Sequence, residues 1–309
     1  MHKYLRAIGF SSIKNRKEYE NLIRLCVQDA TKREYTTKDI SSEEAGTLNA
    51  DENMTALFYR DFADGLGLAV CGEYDENNHF SYDYCFPYLR GGEISSYEDI
   101  TVERHMEKES YAGICDEIKV GVTLIFYLQN MIPYIKAKNT GTLPMKGTSL
   151  VLSGLSCQGS IMMPLKKNEQ DIKKTKQAAM SRSRLIEAAK RGDESAIESL
   201  TLEDMDMYTS ISKKIHQNDI YTIVDTYFMP YGVECDQYSI MGEILSCELV
   251  ENRITNEQIY KMKLLCNDLT FDMCINKLDL YGEPLEGRRF KGVIWLQGKI
   301  NFPDNESIE

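Results

Sequence analysis

Six of the seven prolines fall into ordered pairs, and no other feature constrains the fold of this 309-residue chain as tightly. Tyr84-Cys85-Phe86-Pro87-Tyr88 is echoed by Tyr227-Phe228-Met229-Pro230-Tyr231, both reading Tyr-x-x-Pro-Tyr. Pro144 and Gly147 return as Pro284 and Gly287, and Gln158-Gly159-x-Ile161-x-x-Pro164 returns as Gln297-Gly298-x-Ile300-x-x-Pro303. The prolines are 57 and 20 residues apart in the first series and 54 and 19 in the second. Matched intervals of this kind specify matched turns, so residues about 80–164 and 223–303 are predicted to be two copies of one unit.

Proline and glycine persist through a duplication because they set turn and strand-edge geometry that other residues adopt only with strain. The anchors therefore read as framework. Function is expected where the copies diverge, at the junction of the two halves.

Between the anchors the pattern is mostly β. Runs rich in Val, Tyr, Phe and Leu near 56–62, 66–74 and 79–88, broken by Gly65, Gly67 and the Asp75-Glu76-Asn77-Asn78 turn, predict an antiparallel meander. Further strand-like runs lie at 101–106, 119–129 and 148–163, and the run at 119–129 is apolar on both faces, as a central strand requires. Ahead of the meander, Asn15 and Glu18 stand at capping-box spacing, and Tyr19, Leu22, Ile23, Cys26 and Ala30 fall on one stripe, predicting a helix over 16–31.

At Lys166 the texture changes. Residues 166–191 carry nine Lys/Arg and three Asp/Glu among helix formers, with a start at Asn168 and a stop at Gly192; residues 193–206 carry six acids and no base. Thr201 and Asp204 predict a second helix start, running to about His216. The basic and acidic segments either pair with each other or dock a partner.

The charge balance is 36 − 48 = −12, which disfavours nucleic acid and anionic membrane as partners. The most apolar run, Val120 to Leu128, is too short to cross a bilayer, and the first residues lack the apolar core of a secretory signal. Nine cysteines, odd in number and without a C-x-x-C, read as reduced thiols of a cytoplasmic protein.

Catalytic and metal motifs are missing. The histidines at 2, 79, 105 and 216 are isolated, Gly65-Leu66-Gly67 completes no nucleotide-binding loop, and there is no G-x-S-x-G elbow, so neither a metal nor a cofactor is implied. The divergent positions supply the candidates. Tyr231, Glu234, Cys235, Asp236 and Tyr238 cluster after the second Tyr-x-x-Pro-Tyr, although flanking carboxylates disfavour the Cys235 thiolate. Arg288-Arg289-Phe290-Lys291 replaces Thr148-Ser149-Leu150-Val151 of the first copy, and its three cations, Arg288 and Arg289 foremost, read either as an anion or carboxylate clamp or as a solvated strand edge.

The opening Tyr4-Leu5-Arg6-Ala7-Ile8-Gly9-Phe10-Ser11, the stretch Arg191-Gly192-Asp193-Glu194-Ser195-Ala196-Ile197-Glu198-Ser199-Leu200-Thr201 and the run Phe228 to Tyr238 resemble an uncharacterised family of anaerobic Gram-positive bacteria, over the full length of the chain. The resemblance implies a bacterial cytosolic protein and carries no activity or site residue with it.

The expectation is an α+β protein of two β-rich halves related by internal duplication, 1–165 and 166–309, each with helices on one face. The second half opens with the charged helical connection, 166–217, followed by the repeated β unit at about 219–303. The function expected first is a non-enzymatic binding or regulatory protein whose site, at the junction, takes a small anionic ligand or a protein. A hydrolase or transferase acting on an anionic metabolite, with Glu234 or Asp236 as general base, and a structural subunit stand as alternatives.

Overall fold

The computed structural model describes residues 2–37, 54–104, 110–117, 119–143, 147–164, 191–215, 224–233 and 235–303, with parts of 181–189. A 3-10 helix, Lys3–Ile8, ends at Gly9 in the left-handed region (φ 87°). There a Cβ would stand 2.8 Å from that of Asn252, so glycine suits both the turn and the close approach. Asn252 donates to the Ile8 carbonyl (2.8 Å) and Glu257 accepts from the Ser11 amide and hydroxyl, which pins the N-terminal segment to the second half of the chain. Helix α1, Arg16–Gln28, starts as its cap predicts: Asn15 Oδ1 accepts from the Glu18 amide (2.9 Å), and Leu22, Ile23 and Cys26 are buried.

Strands β1 (Lys32–Thr37), β2 (Met54–Ala63), β3 (Leu66–Tyr74) and β4 (Phe80–Leu89) form a four-stranded antiparallel sheet in chain order. The meander turns where its sequence says it must, with Gly65 at φ 69° and Asp75 accepting from the Asn77 and His79 amides.

A second sheet begins with β5 (Ile100–Arg104), β6 (Tyr111–Glu117) and β7 (Val122–Leu128), continues through helix α2 (Met131–Asn139) and reaches the long strand β8 (Ser149–Met162). Helix α3 (Glu194–Ile215) precedes β9 (Tyr227–Pro230), β10 (Gln237–Glu251), β11 (Gln258–Cys266), β12 (Leu269–Asn276), the two-residue β13 (Leu280–Tyr281) and β14 (Arg289–Asn301). Five strands close on themselves in the order β8-β12-β11-β10-β14, because β14 pairs antiparallel with both β10 and β8. Closure removes the sheet edges there. The far end of β14 also takes β7 in parallel, so β7-β6-β5 branch off the barrel.

The repeated Gln-Gly pairs have a packing reason. A Cβ on Gly159 would lie 2.3 Å from the ring of Phe290, and one on Gly298 would lie 2.3 Å from the ring of Phe126. In each case glycine lets a phenyl ring seat flat on a neighbouring strand.

Several expectations need correction. Strand outweighs helix, 50% against 21%, so the protein is mostly β around a barrel with a separate four-stranded sheet. The repeated segments run in a similar but unequal order, β4, β5 to β7, α2 and β8 against β9, β10 to β12, a 3-10 helix at Lys277–Asp279, the added β13 and β14, and they differ in pairing. Strand β9 lies against β10, whereas β4 belongs to the other sheet; β10 and β14 form a seven-pair ladder, whereas Ser96–Leu150 is a single bridge. Helix α3 starts at Glu194, not at Thr201: Asp193 Oδ1 accepts from the Ser195 amide (3.0 Å), and the Thr201 hydroxyl back-bonds to the Ile197 carbonyl from inside the helix. Asn168 and His216, the expected limits of the charged helices, lie outside the described residues. Between the segments, Arg182 stands 3.8 Å from Glu203. Among the described residues no helix is long and apolar enough to cross a membrane.

Candidate binding groove

Where β8 and β14 run side by side, their outer face carries an open groove of about 400 Å3. Its floor is Gln158, Gly159 and Ser160 of β8 with Lys291, Gly292 and Val293 of β14. Pairing sets the lateral order: Tyr281, Ser160 and Lys291 stand in one row across β13, β8 and β14, and Ser239 of β10 stands opposite Val293. A register shift between Gly292 and Ile294 bends the ladder at this point, and the Ser156 hydroxyl lies 2.8 Å from the Val293 carbonyl oxygen.

The N-terminal 3-10 helix supplies one wall through Lys3 and Tyr4. Tyr4 stacks on Trp295 (5.3 Å between centroids, 20° between planes), and the Trp295 indole N–H donates to Asp236 (2.6 Å). The Lys3 ammonium sits 5.0 Å from the Tyr4 ring centroid. Half-exposed Tyr231 and exposed Tyr281 complete the rim.

Two lysines and no described carboxylate line the groove, in a protein of net charge −12. Asp279, which acts on the neighbouring Cys157, is held in a two-point ion pair by Arg6. The Cys157 thiol is pushed up to about 11, first by burial and then by Asp279, so it stays protonated at neutral pH and points at the Lys3 carbonyl (3.6 Å). The Gln158 side chain is exposed in the groove.

Two other hollows differ in kind. One of about 480 Å3 holds Lys261 and Lys263, but Lys261 pairs with Asp64 (3.1 Å) and Glu248 (3.4 Å), and Lys263 with Glu93 (2.5 Å). Another, of about 870 Å3 beside α2, has Asp99 and Asp116 as the charged residues of its described lining. Among the described residues no three His, Cys, Asp or Glu gather as metal ligands.

Of the described site candidates from the sequence block Tyr231 to Tyr238 and from Arg288 and Arg289, Tyr231 lines the groove. Glu234 lies outside the described residues. Cys235 is exposed in the turn before β10. Asp236 orients Trp295 behind the groove wall. Tyr238 is buried, its hydroxyl accepting from the Ile125 amide (2.7 Å) and so fastening β10 to β7. Arg288 donates to the Glu283 carbonyl (2.8 Å) and faces the Glu283 carboxylate. Arg289 is 4% exposed and donates to the carbonyls of Met163 (3.0 and 3.1 Å) and Val224 (2.9 Å). Neither a solvated edge nor an anion clamp, it ties two connecting segments to the barrel.

Lys291, the third cation of the Arg288-to-Lys291 run, is the one that lines the groove, because strand alternation from Arg289 puts it on the same strand face two residues along. Gln158 was visible as a repeat anchor and passed for framework. Lys3 and Tyr281 give no local signal.

A family model described as "Domain of unknown function, E. rectale Gene description (DUF3881)" matches residues 5–298. The chain belongs to this family. The matched span takes in the barrel core and the groove residues from Cys157 to Val293, leaving Lys3 and Tyr4 just outside it. No curated protein and no solved structure matches the chain.

Proposed function

We propose that this DUF3881 protein is a non-enzymatic binding protein for a small anionic ligand, taken up in the groove between β8 and β14. The observation that carries the reading is exposed Lys3 at the wall of a hollow whose described lining includes a second lysine, Lys291, and no acid. Neutral donors stand beside them: the Gln158 amide, the Ser160 and Ser239 hydroxyls and the protonated Cys157 thiol. Binding is favoured over turnover because the described lining holds no imidazole or carboxylate to act as a base, and its one thiol is held protonated by burial.

The groove lies between a strand of the first half, 1–165, and strands of the second, 166–309. We infer that these halves descend from a duplication. The similar run of strands and the parallel positions of Gly159 and Gly298 under phenyl rings support this. On that view Gln158 and Gln297 are the same position with two fates. Gln297 is buried against the Pro87 carbonyl (2.8 Å) and the Gln129 amide (2.7 Å), whereas Gln158 was left facing the open groove. Nine free thiols, most of them buried, support a reducing cytoplasmic setting.

Isothermal titration with inorganic phosphate and citrate tests the reading. Saturable binding to the wild type, weakened about tenfold or more in Lys3→Gln with the fold unchanged by circular dichroism, is expected for a charge-assisted contact. Equal binding by both proteins, or none by the wild type at millimolar anion, would overturn it.

A further inference from the structure

The hollow of about 870 Å3 beside α2 is the largest of the three described, and it shares no described lining residue with the β8/β14 groove. Its walls are apolar: Ile100 and Val102 of the edge strand β5, Tyr134 of α2, Leu143 just after that helix, and Ile300 and Phe302 at the far end of β14. Ile100, Val102, Tyr134 and Phe302 are half-buried against the core, so each keeps apolar surface for an occupant of the hollow to cover.

The charged residues of the described lining have one sign. Asp99 and Asp116 are both exposed, and among the described residues neither carboxylate is paired with a cation; Asp116 accepts from the Thr123 hydroxyl (2.6 Å). The β5–β6 register sets Ile100 opposite Cys115, and one step further it sets Asp99 opposite Asp116. Like charges facing each other across a strand pair are unfavourable, and a cation between them relieves that cost. The net charge of −12 draws cations toward the protein as a whole.

We propose that this hollow is a second binding site, for a small amphiphilic amine. Its ammonium group sits at Asp99 and Asp116, and its apolar body lies against Ile100, Val102 and Phe302. The site goes beyond the anion groove and does not depend on it. Its volume falls in the range of small-molecule sites, and the apolar walls with two acids match both parts of such a ligand. Residues 304–309, which follow Phe302 in sequence, carry three acids and have the wrong sign for the role.

The test compares octylamine, 1-octanol and octanoate, which share a chain length and differ in head-group charge. Isothermal titrations are run on the wild-type protein, on the double variant Asp99→Asn/Asp116→Asn and on Leu143→Trp, which fills the hollow, with circular dichroism to check each fold. Octylamine is expected to saturate the wild type and to bind about tenfold or more tighter than octanol, with octanoate weakest. Each two methylenes removed, from octylamine to hexylamine to butylamine, should cost about tenfold. In the double Asn variant octylamine falls to about the affinity of octanol, while octanol itself is unchanged. Leu143→Trp weakens both; if that variant does not fold, the Asn variant decides alone. The proposal is overturned if octanol or octanoate matches octylamine, if the Asn variant binds octylamine as the wild type does, or if a folded Leu143→Trp protein binds unchanged. The peptide N-acetyl-Leu-Lys-Leu-amide is titrated alongside, and tighter binding of it than of octylamine would overturn the small-molecule assignment in favour of a basic peptide. The phosphate and citrate titrations with Lys3→Gln involve neither aspartate, so failure of this site leaves the anion reading standing, and the reverse.

Discussion

Gln129 donates a 2.7 Å hydrogen bond from its side-chain amide to Oε1 of Gln297, and both side chains are sealed from solvent. The same Gln129 nitrogen reaches the Leu89 carbonyl (2.9 Å), while Gln297 reaches that of Pro87 (2.8 Å). Two amides thus join the end of β4, in the four-stranded sheet, to β14, in the barrel. A buried polar network of this kind is favourable only while every member is satisfied. Gln129→Leu should therefore destabilise the protein by about 1–3 kcal/mol, the cost of orphaned buried groups. The double variant Gln129→Leu/Gln297→Leu should lose less than the sum of the singles. Urea unfolding of the four proteins measures the coupling, and strict additivity would mean that the two amides do not act together.

Arg288 and Arg289 are neighbours with opposite roles. Replacing Arg289 with Met leaves the carbonyls of Met163 and Val224 without their donors, an expected loss of about 3 kcal/mol. Arg288→Ala removes one carbonyl contact and a 3.8 Å pair at the surface, and should stay within about 0.5 kcal/mol of wild type. Thermal or urea midpoints of the two variants check the contrast; similar losses would contradict it.

Gly298→Ala places a Cβ inside the ring of Phe126, so overpacking of about 1–3 kcal/mol is expected. Combining it with Phe126→Leu should recover part of the loss, because the shorter side chain vacates the space. Circular dichroism melts of both variants are sufficient, and absence of any recovery would place the strain elsewhere.

Stability should fall with alkaline pH. Burial pushes the thiols of Cys115, Cys157 and Cys247 up to about 11 and that of Cys266 up to about 12. Unfolded thiols ionise near about 8.5. Above that pH the unfolded chain releases protons first and binds fewer than the folded one, so stability is fully present below it and is lost as pH rises through the folded values. Under reducing conditions the urea midpoint should decline steadily from about pH 8.5 to 11, with a shallower slope in Cys157→Ser. A flat profile would show that these thiols are not held protonated by the fold.

The sequence by itself determined what short-range geometry controls. Asn15 caps α1, Gly65 and Asp75 turn the meander, and the long runs at 119–129 and 148–163 become β7 and β8. Each depends on neighbours a few residues away, and each has a local cause in capping, positive φ or strand alternation. The paired Gln-Gly positions were legible as anchors through their matched spacing, but the rings that require glycine there, Phe290 at Gly159 and Phe126 at Gly298, arrive from far along the chain. Only the tertiary structure decided which face meets what. The barrel closes because β14, late in the chain, finds β8 from its middle, a pairing that no local period encodes. Arg289 and Lys291 share a strand face and a charge, yet the carbonyls of residues 163 and 224 cap one while the other lines the groove. Gln158 and Gln297 sit in matching motifs, and what separates them is that Gln129 and β4 dock on one and nothing described docks on the other. Side-chain burial is set by the elements that arrive from far along the chain, and for that reason the candidate site fell mostly on residues that the sequence had not singled out.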